Sequence, residues 1–142
     1  MKALVKKRAR ITRVRAAQHL LAASVAASAE AQVASLETNA AKLASLRDSL
    51  TLPTGPSTGA VLQNRGTLAQ RLDNARHGLD SAIASAKATA EQKVSERLEA
   101  RQRQESAAKL DARAVKALQE WTEARMAAAF RPRNSKNDEG ES

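Results

Sequence analysis

Large apolar residues in the first third of the chain include Leu4, Ile11, Val14, Leu21, Val25, Leu36, Leu43, Leu46 and Leu50. Steps of seven join 4 to 11, 14 to 21, 36 to 43 and 43 to 50, divided by threes and fours. That spacing lays a stripe along one side of a helix, the pattern of a heptad seam. Between Leu21 and Leu36 the seam is expected to run through Val25 and Ala29. Those are two steps of four, a stutter at which a supercoil locally unwinds. No Gly or Pro interrupts Ala3 to Leu50, so the pattern predicts one helix over 3–51.

The stretch TLPTGPSTGA then holds two prolines and two glycines. It predicts a turn over 52–57, with Ser57 or Thr58 as the next helix N-cap. A second seam follows, through Val61 or Leu62, Leu68, Leu72, Ala75, Leu79, Ala82 or Ile83, Ala86, Ala90, Val94 and Leu98. From Glu99 to Lys109 no large apolar residue occurs; the stripe resumes at Leu110, Ala114, Leu118 and Trp121. Gly66 and Gly78 each cost a helix about 1 kcal/mol relative to Ala, too little to end it. The second helix is therefore expected over 58–130, fraying at Phe130 ahead of Pro132. The polar tail over 132–142 is expected to be disordered.

Two seams joined by a short turn predict an all-α fold, a two-helix antiparallel coiled-coil hairpin with the longer helix second. Folding back about the middle of the turn puts residue i near residue 110−i. Leu43 then meets Leu68, Leu36 meets Ala75, Leu21 meets Ala90 and Ile11 meets Leu98. The first helix ends near position 106 of the second, and about twenty-five residues carrying Leu110, Leu118 and Trp121 overhang without a partner.

Composition narrows this picture. The chain has 142 residues, one Trp, one Phe, no Tyr and no Cys. Its apolar fraction is mostly Ala, the best helix former, and large apolar residues are too sparse for a layered core. The lack of Cys excludes a disulfide framework, a thiolate nucleophile and a Cys-based zinc site. His19 and His77 have no ligand-like spacing and are expected at the surface. No nucleophile–base constellation or phosphate cradle is present, and a thin hairpin offers no pocket. A non-enzymatic protein without cofactor or metal is the expectation. No apolar run approaches a membrane span.

Net charge is +9, and Lys2, Lys6, Lys7, Arg8, Arg10, Arg13 and Arg15 supply seven of those charges. No acid precedes Glu30. A basic, acid-free opening followed by AAQHLLAASVAASAEA also suits a targeting peptide. Gln18, His19, Ser24 and Ser28 interrupt its apolar stretch, however, and the heptads pass through any cleavage point to Leu50. Under the 110−i pairing the neighbourhood 91–105 sums to zero charge, so the excess is left for an intermolecular partner. Nucleic acid is one such partner, yet the chain carries no helix-turn-helix, zinc-finger or aromatic stacking signature. A membrane-surface helix would need wider apolar faces.

The opening ALVKKRARITRVRAAQHLLAAS and the segment LDARAVKALQEWTEARMAAAFRPR, set in a helix, turn, longer helix and polar tail, resemble the FliJ/YscO family of flagellar and type III export stalk proteins. The resemblance spans nearly the whole chain. It implies a cytoplasmic protein, peripheral at the inner-membrane export apparatus. Its paired terminal end would insert into the hexameric export ATPase, and its hairpin end would contact the cytoplasmic domain of an export gate protein; export chaperones are further partners. ATP hydrolysis would belong to the partner. Carried onto this chain, the resemblance assigns Lys6, Lys7, Arg10, Arg13, Leu110, Leu118 and Trp121 to the ATPase. Leu43, Leu46, Leu72 and Arg76 are assigned to the gate, although the family's gate-facing aromatics are missing from that end. The alternative is a basic coiled-coil protein that binds nucleic acid or another polyanion.

Overall fold

The computed structural model describes residues 1–51 and 58–130. Over these residues the chain is two long helices packed against each other, α1 (Lys2–Thr51) and α2 (Gly59–Ala129), and no strand is present. The expected bounds of 3–51 and 58–130 differ from these by one residue at each moved end. The turn and the tail lie outside the described residues. Thr58 caps α2: its carbonyl accepts from the Leu62 N–H at 3.1 Å and its hydroxyl oxygen accepts from the Val61 N–H at 3.4 Å. This satisfies donors that a helix start leaves without partners. At the other end the Phe130 N–H closes the last turn on the Met126 carbonyl.

The chain divides into two compact units, one joining Met1–Ala16 with Gln102–Ser142 and the other comprising Ala17–Arg101. In the second unit Arg47 pairs with Asp73 at 3.2 Å and Glu37 with Lys87 at 3.3 Å. As the α1 number rises the α2 number falls, so the helices run in opposite directions. In the first unit the Thr12 hydroxyl donates to the Ala107 carbonyl at 3.3 Å.

These contacts correct the pairing rule. The residue numbers of the three pairs add to 120, 124 and 119, not to 110. The expected rule assumed pairing that starts evenly on both sides of the turn. Instead the half-buried leucines Leu36, Leu43 and Leu50 share the seam with Leu72, Leu79 and Ile83, and burying these largest apolar residues sets the register. In that register the end of α1 lies level with Ala69. Residues 59–68 pass beyond it, and Val61, Leu62 and Leu68 stay exposed.

The seam itself also differs from expectation in the first half of α1. Counting back by sevens from Leu36 gives Ala29, Ala22, Arg15 and Arg8; counting back from Val33 gives Ala26, His19, Thr12 and Val5. All of these are buried or half-buried. The heptad phase set by the leucine layers therefore continues without the expected stutter. Leu4, Val14, Leu21 and Val25, expected in the seam, form an exposed stripe beside it. On α2, Leu98 is likewise outside, 55% exposed.

What fills the seam is small. The buried residues among those described are Ala26, Ala90, Ala107 and Ala114. Alanine costs no side-chain entropy on ordering, and it lets helix backbones approach closely. Gly66 and Gly78 lie within α2 with open space where a Cβ would stand.

Candidate functional site

The first unit concentrates charge. Residues 1–16 carry seven bases and no acid. Residues 102–130 carry Arg103, Lys109, Arg113, Lys116 and Arg125 against Glu105, Asp111, Glu120 and Glu123. Together these segments hold a net charge of +8, whereas residues 17–101, with nine bases and eight acids, hold +1. The corrected register sharpens the excess. Residues 2–16 now lie level with 103–117, which hold four bases and two acids, where the expected partner segment summed to zero. Lys6, Lys7, Arg10 and Arg13 are exposed and make no ion pair among the described residues.

Beside them α2 passes the start of α1. In the observed register Lys2 lies level with about residue 117, so the overhang is the dozen residues from 119 to 130 and not twenty-five. Leu118 is half-buried in the seam, which corrects its expected place in the overhang. Leu110 lies level with Ala9 and is exposed because it points off the seam, not because α1 has ended. Trp121 does lie in the overhang and is 44% exposed. The Arg125 guanidinium sits 5.3 Å from the Trp121 ring centroid, one helical turn on. A cation so placed over a ring is attracted to it, by about 0.5–1 kcal/mol at an exposed site. Met126 and Phe130 are exposed as well, on the side of the helix away from Trp121. The i, i+4 spacing of Trp121 and Arg125 in EWTEAR carries the signal for their contact, absent from the seam pattern.

The residues expected at the gate separate into two pairs. Leu43 and Leu72 are half-buried in the seam, where they hold the helices together. Leu46 and Arg76 are exposed. Only the latter pair lies at the surface.

His19 corrects the expectation of a surface residue. It occupies a seam position, half-buried, and its Nδ1 is buried without a hydrogen-bond partner. Asp111, in the other unit, has one carboxylate oxygen in the same condition. His77 is exposed. Among the described residues no three His, Asp or Glu side chains gather as a metal site, and no helix is long and apolar enough to cross a membrane. No family model, curated protein or solved structure matches this chain.

Proposed function

We propose that this chain is a coiled-coil hairpin serving as a non-catalytic stalk or adaptor of a flagellar or type III protein export apparatus. Its terminal end enters the ring of the hexameric export ATPase, and its turn end reaches the export gate. The carrying observation is the first unit: a net charge of +8 with four exposed cations that have no described partner, next to an exposed Trp121 braced by Arg125. Unpaired cations steer an acidic protein surface into place, and an exposed aromatic anchor supplies the contact that holds it. Together they suit an acidic lumen better than a bare polyanion, which would use the cations and ignore the ring.

The ATPase-facing set in this reading is Lys6, Lys7, Arg10, Arg13, Leu110 and Trp121, with Leu118 supporting them from the seam. Gate contact falls to Leu46 and Arg76, with Leu43 and Leu72 holding the helices beneath. The protein would act in the cytoplasm, at the inner face of the export apparatus, and export chaperones are further partners. The test is the hydrolysis rate of the cognate hexameric ATPase with and without the full chain; an unchanged rate overturns the proposal.

A second reading rests on the same cations: a basic coiled-coil protein that binds nucleic acid or another polyanion. Its contacts would be to phosphates and so would weaken steeply with salt.

A further inference from the structure

In the second unit an open groove of ≈ 740 Å³ runs between α1 and α2. Its walls include Ser28, Ala29 and Gln32 on one side and Ala82, Ala86 and Thr89 on the other. Leu36, at the end far from Leu21, and Lys93, across the groove, also line it, and between them the small and flexible side chains leave room for a large one. Val25 forms part of the groove's α1 rim. One turn earlier, Leu21 projects from the same side of α1 and is 68% exposed. The large side chain and the vacancy that would take it thus lie side by side on one helix.

We infer that two copies of this chain associate through this surface, with their α1 helices antiparallel, Val25 at the twofold axis, and Leu21 of each copy seated in the other's groove. An interface about a twofold axis uses one patch twice. With Val25 on the axis, α1 residues of the two copies that add to 50 lie level with one another. Leu21 of one copy then falls level with Ala29 of the other, within the groove.

Charge decides both the occupant and the direction. Residues 16–29 carry no Lys, Arg, Asp or Glu, so two copies of this stretch meet without repulsion. Side by side in parallel, the two openings would set seven cations against seven. Antiparallel, residues 1–15 of one copy lie along 35–49 of the other, where Glu37 and Asp48 balance Lys42 and Arg47. Like charges in contact work against association, and this arrangement keeps them apart. An acidic partner would find no cation in residues 16–29, and Lys93, which lines the groove, is already paired with Glu96 at 3.3 Å. The inference stands independently of the export reading.

The test is sedimentation of the full chain from micromolar to millimolar concentration, with far-ultraviolet dichroism as the check on folding. A monomer–dimer equilibrium is expected. Leu21→Lys should raise its dissociation constant about tenfold or more, the effect of a lost contact worth roughly 1.4 kcal/mol. Leu20→Lys changes an equally exposed neighbour that stands about 100° around α1 from Leu21, off the face of Val25, and it should leave the equilibrium unmoved. Because the chain has no cysteine, Val25→Cys introduces a single thiol, and oxidation should link two copies; Leu62→Cys should not. A chain that stays monomeric throughout overturns the inference, and leaves the groove to a different protein. So does a dimer that is indifferent to Leu21→Lys, or one that links through Leu62→Cys in place of Val25→Cys.

Discussion

The Thr12 hydroxyl donates to the backbone carbonyl of Ala107, ninety-five residues away along the chain, and also lies 3.0 Å from the Arg8 carbonyl one turn behind it. Thr12 therefore serves the usual helical role of threonine, bonding its own preceding turn, and reports the register of the opposite helix. That register carries Leu118 into the seam and leaves Trp121 beyond the start of α1.

The seam assignment is tested by leucines that the heptad pattern alone treats alike. Leu43 and Leu79 are half-buried between the helices, whereas Leu21 is exposed. Leu43→Ala or Leu79→Ala should lower unfolding free energy by about 2 kcal/mol, the low end for buried leucines. Leu21→Ala, measured on the monomer at low concentration, should change it by less than about 0.5 kcal/mol, as a surface substitution does. Urea denaturation measures both; equal losses would contradict the observed seam.

Gly78 lies inside α2, and a Cβ there would meet no atom within 4 Å. Gly78→Ala should therefore stabilise the protein by about 1 kcal/mol through helix propensity and a less flexible unfolded chain. A rise in thermal midpoint without change in helicity is the expected readout.

His19 brings a polar atom into the seam without a partner for it. Leaving a donor or acceptor unsatisfied costs about 1–3 kcal/mol, and an apolar replacement removes that cost. His19→Leu is expected to raise stability by about 1 kcal/mol, measured by denaturation at neutral pH. A loss of stability would mean that the imidazole finds a partner in solution.

Trp121 and the basic opening test the proposed function. Trp121→Ala, and the double charge reversal Arg10→Glu with Arg13→Glu, should abolish stimulation of the export ATPase while helicity is retained. Trp121 lies past α1, so its loss removes little of the seam. Stimulation at the wild-type level by both variants would displace the site from this end.

Binding to duplex DNA separates the two functional readings. Contacts limited to a few phosphates should fade by about 200 mM salt, with no effect of Trp121→Ala. Affinity that persists at that salt, together with an unresponsive ATPase, would favour the polyanion reading.

Helix boundaries were legible because they rest on local chemistry. Thr58 accepts at the start of α2 as an N-cap residue should, and nothing between Ala3 and Leu50 breaks a helix. The site was partly legible: the four exposed cations and Trp121 stand on one unit, as expected from a basic opening and a fold-back. The short overhang and the groove beside Leu21 were not, because each depends on which residues of α2 lie level with which residues of α1; the Arg125 contact, local to α2, was legible in the spacing of EWTEAR.

By itself the sequence determined two helices, where each begins and ends, and a charge gathered at one end of the chain, since propensity, capping and charge act within a few residues. Only the tertiary structure decided register and phase. A heptad repeat permits several sliding positions that differ by whole turns, and periodicity cannot rank them. Packing ranks them by what each position buries: Leu36, Leu43 and Leu50 lodge with Leu72, Leu79 and Ile83, and the rest of α1 must follow that rotation. It carries alanines and His19 inward and leaves Leu21 and Val25 outside, because the leucine layers outweigh the larger side chains of the first half of α1.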